Sequence, residues 1–402
     1  MIRYIADWVL PINGPVMSPG WVDVDGGTVV GLGSADSMGP SLAPVVSLGP
    51  TAVLPALVNA HTHLELSDLR GVIPPASSMP DWVGHLLSNR ASLRRPDSTK
   101  IKEAIAEARA SGTGLFGDIG NTMAAVPELA MAGVGARFFC EILAFPDEGA
   151  VSVVDRVVEK VCVVARTDGL RFGLAAHAPF SVGRSAFEAL GEAARTTVCG
   201  PRSIHLAESP QELEFLKTGG GPWRELLERL GRWDPSWVVP ECGPVEYLDR
   251  LGWLDGNLVA VHGVQLTDAE LDLLAKRGAT LVTCPRSNEW TGVGHPPISR
   301  FIRSGIRLAV GTDSLASVPD LNLFTELRQM RRLAPEVPAH QLLACATVAG
   351  AEALGFGEMY GTITRGHRAA LIGVKAPAAI GNVEEYLLGG IDPGQVFWLE
   401  QE

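Results

Sequence analysis

An α/β architecture is predicted for this chain: a (β/α)₈ barrel of the TIM type, carrying a small sheet drawn from both ends. Three observations predict it. Eight short apolar runs alternate with amphipathic stretches through the middle of the chain. The first fifty residues and the last part of the chain are strand-like instead. Five of the eight apolar runs finish in a histidine or an acid, as barrel strands do when they feed one active-site face.

The elements follow in order. "WVDVD" and "TVVGLG" are strand-like runs joined by Gly26 and Gly27, a hairpin signature. The eight central runs are "AVLPALVNA", "GLFGDIG", "ARFFCEILA", "RFGLAAHA", "SIHLAE", "LVAVHGV", "TLVTCP" and "RLAVGTD". Between them lie helical stretches such as "STKIKEAIAEARAS", "VSVVDRVVEKVCVVART", "SPQELEFLKT", "TDAELDLLAKRG" and "NLFTELRQMRRL". Ser209, Thr267 and Asp320 stand where N-caps belong. Alternating elements imply parallel strands. A doubly wound open sheet is the alternative, and it needs a topological switch point. "GVIPPASSMPDW", residues 71 to 82, is a long loop after the first barrel strand and belongs at the mouth. "GTITRGHRAALIGVKAP" and "QVFWLEQE" close the chain with strand-like runs, expected to pair with the N-terminal ones.

Composition narrows the function. Of 402 residues 46% are hydrophobic and 19% charged, which argues for a folded core. A net charge of −12 disfavours nucleic acid and anionic membranes, which require a positive footprint. No apolar run reaches spanning length, and no secretion signal is read at the start. The six cysteines are scattered without a CxxC, so free thiols in a cytoplasmic protein are expected, and a thiolate zinc site is not. Cys140 and Cys284 end strands and are read as small buried packing. "GTGLFG" matches GxGxxG but leads from helix to strand, the reverse of a dinucleotide turn. His85, His295, His340 and His367 read as ordinary helix or surface residues.

The strand ends carry the chemistry. His61 and His63 sit one residue apart in "NAHTHLE", so strand alternation points both the same way. An isolated pair of this kind is usually a hydrogen-bonded loop feature. Here His177, His205 with Glu208, His262 and Asp313 end four further strands, and a barrel gathers all of them at one face. His61, His63, His205 and Asp313 offer nitrogen and oxygen without sulfur, a set suited to zinc, with iron as the alternative. A cation there would bring the pKa of bound water towards neutrality. Asp313 is placed to take that water's proton, His262 to polarise the water or act as a further ligand, and Glu208 to shuttle a proton. Glu208 also suits a helix N-terminus, and both readings can hold together.

The ordered motifs "NAHTHLE", "HAPFSV", "HLAESPQE", "VHGVQLT", "CPRSN" and "GTDSLAS" resemble the amidohydrolase superfamily, in its mononuclear-metal branch of deaminases and triazine chlorohydrolases. Within it the likeness runs towards aminodeoxyfutalosine and S-adenosylhomocysteine/methylthioadenosine deaminases. The resemblance implies a barrel over residues 53–357 and a small β-sandwich from residues 1–52 and 358–402. It also implies one divalent metal on His61, His63, His205 and Asp313, since the carboxylated lysine of the dinuclear branch is missing. Glu208 becomes the proton shuttle, His262 the residue that positions water, and His177 a substrate contact.

The reaction so implied is deamination at an amino-substituted ring carbon, with ammonia released, on a 6-aminopurine nucleoside derivative. The alternatives are hydrolysis of another C–N or C–Cl bond and, in a different class, a non-catalytic metal-binding protein. Arg286 is a candidate partner for a substrate carboxylate, or else an ordinary arginine paired with a nearby glutamate. Ser287 and Asn288 are candidate contacts to a ribose or ring, and Trp82 or Trp290 could stack on an aryl group or simply be buried. The resemblance also allows a homodimer.

Overall fold

The computed structural model describes residues 1–39, 43–90, 95–164 and 169–399, so the last three residues of "QVFWLEQE" lie outside it. In chain order the strands are β1 (Ile2–Val9), β2 (Gly20–Asp25), β3 (Thr28–Ser34), β4 (Val45–Pro55), β5 (Leu57–Thr62), β6 (Thr113–Gly120), β7 (Gly135–Ile142), β8 (Leu170–Ala176), β9 (Arg202–Leu206), β10 (Leu258–His262), β11 (Thr280–Thr283), β12 (Arg307–Val310), β13 (Leu371–Lys375) and β14 (Val396–Trp398). They form two sheets.

Both chain ends share the first sheet, ordered β14-β13-β4-β1-β2-β3. The β1–β4 pair is parallel and the other neighbours are antiparallel. Gly26 and Gly27 turn β2 into β3 with φ of 52° and 83°. Left-handed backbone at both turn residues matches the twist of a two-residue hairpin. "AVLPALVNA" divides between the two sheets. Thr51–Pro55 pairs with Leu371–Lys375, and the barrel's first strand begins at Leu57. The expected boundary at residues 52 and 53 therefore falls inside a strand, because the C-terminal segment supplies hydrogen bonds out to Pro55.

The second sheet is the barrel, β5 to β12 in sequence order, each strand parallel to the next. Helices alternate with its strands, as the periodicity predicts. "GTGLFG" is the turn from helix Ser98–Ala110 into β6, not a phosphate loop. Ser209 and Thr267 cap helices Pro210–Thr218 and Asp268–Lys276. Asp320 does not cap Leu323–Leu333. Asn322 does, accepting from the Phe324 amide, while the Asp320 carboxylate holds the Asn322 amide and Arg286. Phe116, Phe138, Phe139 and Phe187 are fully buried. Each such side chain contributes about 1.5–3 kcal/mol of burial.

The barrel closes between its first and last strands through side chains as well as backbone. The Asp313 amide donates to the His61 carbonyl at 3.0 Å. Thr62 Oγ1 donates to the Asp313 carbonyl at 3.0 Å. The Asn59 side chain donates to Thr312 Oγ1 at 2.8 Å and accepts from the Thr312 amide at 3.1 Å. A Cβ on Gly311 would lie 2.5 Å from the His61 carbonyl oxygen, so only glycine lets the strands approach this closely. The seam joins two stretches of chain that each carry a predicted ligand.

Candidate metal centre and active site

All five predicted strand ends meet at one face. His61 lies within β5 and His63 just beyond it; His177 directly follows β8, His205 lies in β9, His262 ends β10, and Asp313 follows β12. Sharp turns release these side chains from the sheet. His262 and Asp313 take left-handed φ of 74° and 61°, and Ala207, beside Glu208, takes 50°. Non-glycine residues seldom occupy that region, and where they do the surroundings hold them there.

The imidazoles converge. His63 Nε2 and His205 Nε2 are 3.3 Å apart, and His61 Nε2 and His63 Nε2 each lie 3.7 Å from Asp313 Oδ1. Ligand-capable atoms of His61, His63 and Asp313 lie within 4.8 Å of one another, as do those of His61, His205 and His262. Burial pushes the His63 and His205 pKa values down to about 4 and also lowers that of His61. These rings are therefore neutral, the form that ligates metal. His205 Nδ1 lies 2.7 Å from the His177 carbonyl, which assigns its proton there and leaves Nε2 facing the cluster. Both ring nitrogens of His61 are buried without a hydrogen-bond partner. A buried polar atom left so is costly, and a cation among these donors removes the cost. The donor set thus fits a zinc-type ion.

Asp313 is held as the carboxylate. Burial opposes its charge, but the surrounding imidazoles keep its pKa well below the usual carboxylate range. Ser287 Oγ donates to its Oδ2 at 2.6 Å. Glu208 is the opposite case: burial first, then the charges of Asp313 and Glu212, hold its carboxyl well above the ordinary range. Its Oε1 lies 3.5 Å from His262 Nε2. Asn288 Nδ2 lies 2.9 Å from His262 Nδ1, an arrangement that assigns the ring proton to Nε2, towards Glu208.

The cluster forms part of the floor of a cavity of about 560 Å³. Asp313, Glu208, His262 and His177 reach it, and Trp82, Phe180 and Trp223 stand in its walls. Phe180 and Trp223 stack at 4.0 Å between ring centroids. His177 donates from Nδ1 to Ser181 Oγ at 2.6 Å, since that hydroxyl itself donates to the Ala178 carbonyl, so the ring offers an acceptor at Nε2.

Other candidates from the sequence lie elsewhere. Arg286 does not line the cavity. Its Nε donates to Glu326 at 2.6 Å and its Nη atoms to Asp320 at 2.8–3.0 Å, the glutamate-pairing alternative. Ser287 and Asn288 are fully buried against Asp313 and His262, so they hold those two side chains from behind. Trp290 donates to the Ile73 carbonyl. Cys140 and Cys284 are buried, and all six cysteines are free. Glu65, just behind the histidine pair, accepts from the Asn121, Thr122 and Ala124 amides and fixes the loop after β6.

Sequence reading missed two acidic residues on or behind this floor. Glu141 lines the cavity and accepts from Asn121 Nδ2 at 2.9 Å. Glu212 holds the backbone at Glu208. Only Glu212 carried a signal, as the fourth residue of a Ser-x-x-Glu capping pattern.

Residues 52–387 match the Amidohydrolase family. The chain belongs to the amidohydrolase family. This amidohydrolase is 32% identical over 365 residues to the aminodeoxyfutalosine deaminase of Deinococcus radiodurans, covering 85% of this chain and 83% of the relative. It is 30% identical over 388 residues to the 5-methylthioadenosine/S-adenosylhomocysteine deaminase of Moorella thermoacetica, covering 90% and 83%. An adenosine deaminase from Xanthomonas campestris, solved with bound zinc, superposes with a TM-score of 0.81 at 27% identity, covering 98% of this chain and 90% of that one. The Helicobacter pylori aminofutalosine deaminase, in complex with methylthio-coformycin, superposes at 0.86 over 99% and 100% of the two chains. Its 24% identity makes that a likeness of fold.

Proposed function

We propose that this amidohydrolase is a zinc-dependent deaminase that replaces the 6-amino group of a substituted purine nucleoside by oxygen and releases ammonia. The observation that carries the reading is the placement of Glu208: a buried carboxyl 3.5 Å from His262, on the cavity floor shared with the histidine–aspartate cluster, with burial raising its pKa well above the ordinary range. The relatives named for adenosine-type substrates support the substrate class. His61, His63, His205 and Asp313 would hold the ion, and iron suits the same donors. Bound zinc supplies Lewis acidity that makes water nucleophilic near neutral pH.

The side chains account for the remaining work. Glu208 donates its proton to the ring nitrogen beside the amino-bearing carbon, which makes that carbon more electrophilic. His262, protonated on Nε2, donates to the oxygen of the attacking water and orients it. Asp313 accepts the proton that this water loses, and that proton reaches the departing amine. One water is consumed and one ammonia leaves. The stacked Phe180–Trp223 wall and Trp82 supply apolar surface for the purine and its substituent, and His177 accepts a hydrogen bond from it.

The test is ammonia release by zinc-loaded enzyme across adenosine, methylthioadenosine, S-adenosylhomocysteine and a 5′-aryl adenosine derivative. Turnover on at least one supports the reading. Absence of ammonia from every aminopurine, with the ion bound, rejects it.

A further inference from the structure

Glu212 is fully buried, carries no metal role, and spends its carboxylate on two backbone amides. Oε1 accepts from the Ala207 amide at 2.9 Å and Oε2 from the Glu208 amide at 3.0 Å. It lies at the third position of helix Pro210–Thr218, whose cap, Ser209, accepts from the Glu212 amide. In a capping box the glutamate would fold back onto the cap residue's own amide. Here it reaches past the cap and takes the two amides before it. Those amides belong to a turn that is strained, since Ala207 has φ of 50°. An alanine in that region carries a steric penalty that a fixed partner must offset.

The carbonyl side of the same turn is held from the next strand. The Gln265 amide donates to the Ala207 carbonyl at 2.8 Å, and the Gly263 amide to the Leu206 carbonyl at 3.0 Å. Gln265 Nε2 reaches the Val293 carbonyl at 3.0 Å and lies 3.4 Å from the Glu208 carbonyl. These donors follow directly on His262, itself left-handed at φ of 74°. Two strained strand-end turns, one carrying Glu208 and one carrying His262, are thus laced together. Glu212 supplies both amide partners on one side of that lacing.

We propose that Glu212 is a positioning residue of the reaction: by gripping the Ala207 and Glu208 amides it fixes the strained turn that sets the Glu208 carboxyl against His262. This inference rests on the deaminase reading for its kinetic test and on geometry alone for its structural one. Glu212 touches neither the cavity nor the cluster, so its removal acts on the chemical step through Glu208. Oxygen replaced by NH₂ at one end of the side chain sets donor against donor, and the turn loses one grip.

The experiment compares wild type with Glu212→Gln and with Glu212→Gln/Ala207→Gly, each loaded with zinc and assayed on the best purine substrate. Glu212→Gln is expected to lower kcat about 10- to 100-fold, the range for a misplaced catalytic group. KM should stay within about 3-fold and zinc content at one equivalent, because the grip orients a reacting group rather than binding substrate. Glycine takes φ of 50° without the penalty, so the double variant should recover part of the lost kcat. It also serves if the single variant fails to fold. Asp97→Ala removes a helix cap that does not line the cavity, and should lower Tm while leaving kcat unchanged.

A kcat within 2-fold of wild type, or a loss that glycine at 207 does not relieve, overturns the proposal. Should wild type release no ammonia, the deaminase reading fails by itself. The positioning claim is then decided by crystal structures: the Glu208 carboxyl must leave its 3.5 Å approach to His262 in Glu212→Gln, and an unmoved carboxyl refutes it.

Discussion

Replacing Asn59 by alanine tests whether the barrel seam builds the metal centre. Asn59 is fully buried and lends both ends of its amide to Thr312, beside Asp313. Alanine removes two hydrogen bonds, each contributing about 1 kcal/mol net, and strands the buried Thr312 amide at a further cost of about 1–3 kcal/mol. Thr312 Oγ1 keeps the Asp313 carbonyl at 3.2 Å, so its loss is only partial. The expected destabilisation is about 3–4 kcal/mol. The backbone bonds from Asp313 to His61 and from Thr62 to Asp313 belong to the same seam, so the separation of His61 from Asp313 loosens with it. Zinc affinity should fall at least about 10-fold, as when a group supporting the ligands is removed. Urea titration of the metal-free protein reads the first quantity, with an unchanged m-value required for the comparison. Competition against a chromophoric chelator reads the second. A midpoint shift worth less than about 1 kcal/mol, together with unaltered zinc affinity, would refute the reasoning: the seam would be a by-product of closure.

Other outcomes follow from the same geometry. Glu208→Gln keeps its volume but loses its acid, so zinc content should be preserved while kcat falls about 10²- to 10⁴-fold; unchanged turnover in the ammonia assay removes Glu208 from the mechanism. Arg286→Leu leaves Glu326 buried without its cation and should cost about 3–5 kcal/mol by denaturation, with KM for purine substrates nearly unchanged; a selective rise in KM for carboxylate-bearing substrates would return Arg286 to the binding site. Burial sets His63, His177 and His205 at about 4, below the ordinary 6.5. The unfolded chain therefore binds more protons between these values, so stability of the metal-free protein is full above about pH 6.5 and is lost as pH falls to about 4. A flat denaturation midpoint across that window contradicts neutral buried histidines.

Much of the site was legible because its chemistry is local to strand ends. A barrel carries its functional groups there, so His61, His63, His205, His262 and Asp313 could be read as candidates from where apolar runs stop. The helix caps at Ser209 and Thr267 were legible for the same reason, since a cap and its amide lie within three residues. Asp320 misled because two capping residue types stand two positions apart, and the demand of Arg286 for a carboxylate decided between them.

What the sequence by itself determined is the alternation of strand and helix, the paired ends, and the set of candidate ligands, all of which follow from residue type and short spacing. What only the tertiary structure decided is where polar side chains spend their hydrogen bonds. Asn59 and Thr312 are 253 positions apart, Arg286 and Glu326 are 40, and no periodicity links them. "AVLPALVNA" reads as one strand, yet it serves two sheets because the C-terminal segment pairs with its first half. Partners of this kind are chosen by packing, which brings distant donors and acceptors together in a space that excludes water and leaves each of them no alternative.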